Sequence, residues 1–228
     1  MNRTISTQNL LLPEKPDLTQ AARYMGVHKM DTTTRALLEG WAPSLWEAAR
    51  PRGAWVCLPL EELSHWTLGK DLERHFQNCT HAMLAALTLG VEVDRLIRRL
   101  SATELAGALA VDALASALVE QVANAWEKDR RRELEGEGLY LTGRFGPGYG
   151  DSSLALQGDL CRVLDTSRKM GLSLTPTLLL APTKSTTALL GISNIPVRGT
   201  LAGCGNCKLK EICEYRKRGT TCGVEGMD

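Results

Sequence analysis

One long helical pattern constrains this chain more than any other feature. Ser101-Ala102-Thr103-Glu104 has the spacing of a capping box, which predicts a helix start. Behind it, Leu105, Ala108, Asp112, Ala115, Val119, Val122 and Trp126 recur along one stripe, and the pattern runs out in the charged residues 128–137. A stripe of that length has to be buried against a second layer. Residues 106–126 are the most apolar long run, but Asp112, Glu120 and Gln121 interrupt it, so it reads as a buried or amphipathic helix and not a membrane span. Asp112 needs a partner there, because burying a lone carboxylate is costly. It is either a ligand contact, for example to an ammonium group, or an edge residue that is partly exposed or paired with a local arginine.

The remaining segments alternate helix with short strands. Residues 1–17 read as a loose arm, with Pro13 and Pro16 opposing helix. Asp17 or Thr19 can cap a helix through Ala21, Ala22 and Tyr24 that ends at Gly26. A second helix runs from Arg35 toward Trp46 and Ala49 until Pro51-Arg52-Gly53 breaks it. Residues 54–60 fit a strand and 66–68 a short extended piece. Leu72, His75, Phe76, Cys79, Met83, Ala86, Leu87 and Gly90 fall near helical spacing, and residues 93–100 make a further helical run. Asp151, Ser152 and Ser153 offer N-caps for a helix through Leu154, Gln157, Leu160, Cys161 and Leu164, closed by Gly171. Residues 174–181 and 186–193 read as strands joined by Pro182-Thr183-Lys184-Ser185. The class is α+β, helices packed on a small, mainly antiparallel sheet. Residues 1–198 form the main domain and 199–228 a cysteine-rich tail.

With 228 residues, 43% apolar and 23% charged, the chain can bury an ordinary globular core. A net charge of +1 gives no electrostatic case for nucleic acid or an anionic membrane. The polar start of the chain shows no signal peptide, which points to the cytoplasm.

Three groups of residues can carry chemistry. The first is Arg144-Phe145-Gly146-Pro147-Gly148-Tyr149-Gly150, in which glycines permit close backbone approach and a held arginine presents a fork suited to a carboxylate or phosphate. A glycine-rich connector with a solvated arginine has the same composition. The second is Lys184 with Ser185, either ligand contacts beside that loop or ordinary turn residues. The third is the tail, where Cys204, Cys207, Cys213 and Cys222 give a CxxC-x5-C-x8-C pattern, four sulfurs that suit zinc or an iron–sulfur cluster. The other three of the seven cysteines, Cys57, Cys79 and Cys161, sit in apolar contexts as small hydrophobes, and His28, His65, His75 and His81 lack ligand spacing.

The loop, the helix after it, Leu174-Thr175 and Ala181-Pro182-Thr183-Lys184-Ser185 together resemble the activation domain of cobalamin-dependent methionine synthase. The likeness covers about residues 140–193, with a weaker stretch over about 70–130 where Thr88-Leu89-Gly90 and Asp112-Ala113-Leu114-Ala115 resemble stand-alone versions. The resemblance implies an S-adenosylmethionine-dependent methyltransferase component of methionine biosynthesis. It would bind S-adenosylmethionine beside a corrinoid, so that after one-electron reduction the methyl group passes to cobalt and an oxidised cofactor is restored. Arg144 would hold the ligand carboxylate, Gly146 and Gly148 its backbone contacts, Tyr149 a wall near the corrin, Asp112 the ammonium, and Ser185 a further contact. The family's carboxylate shortly before the arginine is displaced here, with Glu137 the nearest, and Asn194-Ile195-Pro196 stands where a tyrosine-bearing segment is expected. No Asp-x-His-x-x-Gly motif occurs, so the cobalamin would come on a partner such as methionine synthase. The tail would be a 4Fe-4S centre relaying an electron from a flavodoxin or ferredoxin. The competing function is a non-catalytic corrinoid-protein scaffold with a zinc-stabilised tail.

Overall fold

The computed structural model describes residues 3–27 and 29–197. Its centre is an antiparallel sheet built from β1 (Ser6–Asn9), β2 (Arg52–Pro59), β3 (His81–Thr88), β4 (Tyr140–Leu141) and a last strand, Ser185–Ser193. A separate two-residue hairpin, β5 (Ser173–Leu174) with β6 (Leu180–Ala181), precedes that last strand, which is therefore β7. The order across the sheet is β1-β2-β3-β7-β4. One face carries α1 (Leu18–Tyr24), α2 (Thr32–Ala48), α4 (Val91–Thr103) and α5 (Leu105–Gly136). The other carries α3 (Lys70–His75), α6 (Leu156–Val163) and α7 (Thr166–Met170).

The pleat of the sheet divides the core. On β3, Met83, Ala85 and Leu87 face the α5 layer, while Ala82, Leu84 and Ala86 face the α6 layer. On β7, Ala188, Leu190 and Ile192 take the first side and Leu189 the second. Gly191 falls on the second side, where a Cβ would come 2.5 Å from Cys79 Sγ and 3.2 Å from Phe76. The 32-residue α5 is long and apolar enough to cross a membrane, but most of its apolar side chains are used in this core.

The α+β class stands as expected, and several elements differ from their sequence expectation. Residues 6–9 are an edge strand of the sheet and not part of a loose arm. The helical spacing from Leu72 to Gly90 breaks at His75, because residues 81–88 are the central strand. A strand buried on both faces is apolar at every position and so matches any period. Ser101 and Thr103 do not cap α5. Their hydroxyls donate to Ile97 O at 2.8 Å and Arg99 O at 3.1 Å inside the last turn of α4, and Glu104 makes the corner between the helices. Residues 66–68 follow a 3-10 turn and form no strand, and residues 174–181 fold back as the β5–β6 hairpin. The helix after the loop breaks at Asp165, whose φ is 49°, giving α6 and α7.

Leu84 is fully buried in the central strand. Leu84→Ala is expected to lower unfolding stability by about 3 kcal/mol. Leu105→Ala, at a 76% exposed position, should change it by under ~0.5 kcal/mol. Urea titrations of both variants check this.

Candidate functional site

The loop at residues 142–150 leaves the sheet through a bulge. Tyr140, Leu141 and Thr142 run against Ser193, Ile192 and Gly191 in register. Phe145 then pairs with Leu189, its N–H donating at 2.9 Å and its carbonyl accepting at 2.8 Å. Gly143 and Arg144 therefore stand together opposite Leu190, one residue more than the ladder accommodates. The extra residue re-aims the side chains on either side of it. Phe145 turns into the α6 layer, and Arg144 turns toward α5.

Arg144 lands between fixed partners. Its Nε donates to Glu127 Oε2 at 3.0 Å, and its Nη2 reaches Asn124 Oδ1 at 2.5 Å and Glu120 Oε2 at 3.2 Å. The other Glu127 oxygen accepts from Arg131 Nη2 at 2.9 Å, and Arg131 also donates to the carbonyls of Leu141 and Thr142. Glu127 is thus shared by Arg131, on its own helix, and by Arg144 on the bulge. Glu137 does not join them. It is exposed at the end of α5, and the carboxylates on Arg144 are Glu120 and Glu127.

Asp112, Ser116, Glu120 and Asn124 follow one another at four-residue intervals on α5, and Glu127 and Arg131 continue the row. Asp112 meets a lysine. Lys184 Nζ lies 2.8 Å from Asp112 Oδ1 and 2.9 Å from Ser116 Oγ. Beside this pair is a cavity of about 220 Å³ lined by Asp94, Ile97, Arg98, Asp112, Thr183 and Lys184. Ser185 faces inward to Thr88 Oγ1 at 2.8 Å and Pro182 O at 2.7 Å, tying the turn to the end of β3.

The charges along this seam are layered. The cations are recessed, with side-chain exposure of 17% at Arg144 and 10% at Lys184, whereas Asp112 and Glu120 are exposed at 51% and 41%. An approaching ligand meets carboxylates first.

The glycine loop itself is tightly formed. Tyr149 N–H donates to Gly146 O at 3.2 Å across Pro147 and Gly148, and Gly148 has φ 82°, the pattern of a type II turn. The backbone at Gly146 is open, since a Cβ there would meet only Thr187 O at 3.8 Å. Tyr149 packs edge-on to Phe145 at 5.6 Å and stays 36% exposed. Asp151 caps α3 instead of the helix that follows it, accepting from Lys70 N at 2.9 Å and Asp71 N at 3.0 Å. Asp151 N–H donates to Asp71 Oδ2 at 3.1 Å in return.

Sequence reasoning reached Arg144, Gly146, Gly148, Tyr149 and Asp112 as candidates but missed Glu120, Asn124, Glu127 and the buried His75. The signal for the first two was present, as polar residues at every fourth position of an otherwise apolar helix. Cys57 and Cys79 are half-buried, and desolvation pushes both thiols up to about 11. Among the described residues no three His, Cys, Asp or Glu side chains are grouped to hold a metal. Cys204, Cys207, Cys213 and Cys222, and the boundary at residue 198, lie outside the described residues.

No protein-family profile matches the sequence, and no curated protein matches it. A solved structure does match, the crystal structure of the MetH reactivation domain bound to AdoHcy, with a TM-score of 0.59 and 15% identity over 96% of this chain and 87% of that one. The chain has the fold of that domain. At this identity the likeness is one of backbone architecture.

Glu127→Ala is expected to destabilise by about 2 kcal/mol, because it leaves the recessed Arg144 and the partly exposed Arg131 without the carboxylate they share. Glu120→Gln, at a far more exposed position, should cost under ~1 kcal/mol. Chemical denaturation of the two variants separates the roles. At pH 8 the raised thiols at Cys57 and Cys79 should also alkylate about a hundredfold more slowly than a free cysteine, read residue by residue by mass spectrometry.

Proposed function

We propose that this chain binds S-adenosylmethionine at the 144–150 loop and acts with a separate corrinoid-bearing protein, such as methionine synthase, to return its cobalamin to the methylated state. The observation that carries the reading is the shared fold, over 96% of this chain, with a reactivation domain whose crystal structure holds AdoHcy. AdoHcy is what S-adenosylmethionine becomes on losing its methyl group.

The residues present suit the ligand. Arg144 is anchored through Nε and Nη2, so Nη1, for which no partner occurs among the described residues, is the edge left for a ligand carboxylate. Glu120 and Asp112 stand half-exposed for an ammonium. Asp112 keeps the role the resemblance implies for it, and Glu120 stands beside Arg144 as the carboxylate for which Glu137 was the nearest candidate. The open backbone at Gly146 and the turn at Gly148 allow close approach, and Tyr149 supplies an exposed ring for a flat group. Ser185 acts one step back, by holding the turn that carries Lys184.

When bound, S-adenosylmethionine supplies a methyl group on a sulfonium, and its transfer draws an unfavourable one-electron reduction of cobalt forward. The chain's own contribution is placement, the proximity effect of holding one cofactor against another. The electron comes from a flavodoxin or ferredoxin in the cytoplasm. The donor set of the tail, four thiols within residues 204–222, suits a 4Fe-4S relay, with zinc as the alternative. Anaerobic reconstitution with iron and sulfide should give a charge-transfer absorption that is lost in Cys204→Ser; stoichiometric zinc in the freshly purified protein would refute the relay.

A second reading is a scaffold that docks a corrinoid protein without binding S-adenosylmethionine. It is favoured by Arg144 already having three partners within the chain. Calorimetry separates the two. S-adenosylmethionine should bind the wild type, and Arg144→Ala should weaken it by about tenfold or more. No heat with the wild type, or unchanged affinity in the variant, favours the scaffold. Because the exposed members of the seam are carboxylates, the cationic S-adenosylmethionine should bind more tightly than neutral AdoHcy, and raising salt should narrow the gap. Labelled methyl transfer to a cob(II)alamin-loaded partner then tests turnover.

A further inference from the structure

Resting on the reading of residues 144–150 as a binding loop, we propose that His75 is a positioning residue that sets the aim of Arg144. His75 is 1% exposed at the end of α3, on the face of the sheet opposite α5. Its ring lies against Phe145 at 5.2 Å and Phe76 at 5.9 Å. Its Nε2 is 3.0 Å from Gly143 O and 2.8 Å from Thr142 Oγ1. A carbonyl can only accept, so the contact with Gly143 O calls for a proton on Nε2.

That carbonyl is the control point of the bulge. The extra residue of a bulge falls outside the ladder. The Gly143 C=O and the Arg144 N–H belong to one rigid peptide plane, so fixing the carbonyl fixes the direction in which Arg144 leaves the chain. Glycine on the N-terminal side of that plane would otherwise let it rotate at little steric cost. The Thr142 hydroxyl shares the carbonyl at 3.1 Å and itself accepts from Gly191 N–H at 2.7 Å, which links the bulge to β7.

The opposite end of the loop is held by the opposite end of α3, through Asp151 on Lys70 N and Asp71 N. A Cβ at Gly150 would be driven into the Asp71 carboxylate, so the loop is seated directly on the helix. The six residues of α3 therefore bracket both ends of the loop from behind the sheet, and Arg144 is presented on the other side. Site geometry held to within roughly 0.5 Å depends on such backing contacts.

The test uses three variants of the full chain. His75→Leu removes the donor and keeps an apolar filler, His75→Gln keeps an N–H able to reach Gly143 O, and Leu72→Ala damages the same helix without touching the bulge. The first readout needs no ligand: the Arg144 Nε–H resonance, slowed in exchange by its bond to Glu127. It should be retained in the wild type, His75→Gln and Leu72→Ala, and broadened or lost in His75→Leu. The second readout is calorimetry with S-adenosylmethionine, where His75→Leu should weaken binding by about tenfold or more while His75→Gln stays close to wild type and Leu72→Ala loses melting temperature alone. An unchanged Arg144 resonance in His75→Leu, or its loss in His75→Gln or Leu72→Ala, overturns the positioning role. Failure of the wild type to bind S-adenosylmethionine overturns the binding reading alone, because the resonance still reports on His75. Should His75→Leu not fold, loss of the resonance and of affinity in folded His75→Gln decides against the role.

Discussion

Glu127 is a carboxylate largely withdrawn from water and shared by two guanidiniums, and the seam between α5 and the 142–150 loop depends on it. Arg131 and Arg144 approach its two oxygens at 2.9 and 3.0 Å. Such a pairing contributes little net stability, since desolvating three charges offsets most of their attraction. What it contributes is registry. Arg131 grips the carbonyls of Leu141 and Thr142, so one carboxylate ties α5 to the end of the short strand and to the bulge after it. The tie adds charge pairing to what already holds the two-residue β4, its ladder with β7 and the burial of Leu141 in the α5-side core.

The loop is useful because it belongs to both layers at once. Alternation along a strand sends Phe145 into one core and would send Arg144 into the other. The core on the α5 side is apolar along most of its length, and an arginine is tolerated there only where α5 turns its polar row to the sheet edge. The bulge brings Arg144 to that row, and His75 backs the bulge from the far layer. Apolar packing on one side and charge pairing on the other are thus joined through a single peptide plane.

The parts of this arrangement that the sequence announced were the local ones. The long α5 stripe, the cap at Asp17 (Gln20 N–H at 2.8 Å), and the Pro147-Gly148 turn are each written in adjacent residues. Residues whose meaning depends on a distant partner were not legible. Asp151 looks like the cap of the helix after it and caps α3, eighty residues earlier, instead. Ser101 and Glu104 have the spacing of a capping box, yet the serine bonds back into the preceding helix. The central strand was hidden by burial on both faces, which erases the alternation that marks a strand. Glu127 lies between the apolar stripe that ends at Trp126 and the charged run 128–137, and only the folded chain shows that Arg144 and Arg131 converge on it.

Arg144 bears on the two proposed readings in opposite ways, and the layering of charge is the physical argument for the binding one. An arginine with three partners looks neutralised, which would suit a scaffold. Neutralisation by fixed groups is also how an arginine is held still, however, and a held fork loses less freedom when it meets a carboxylate. The partners that neutralise it are not equally placed. Glu127 is recessed with it, whereas Glu120 and, further along, Asp112 stand outward. A ligand with one carboxylate and two positive centres can place its anion on the remaining edge of Arg144 and its cations against the outward carboxylates, so that every charge of the seam is met. A simple anion gains the first contact and is repelled by the rest. That layout, one cationic edge behind two outward carboxylates, is what the proposed S-adenosylmethionine site rests on.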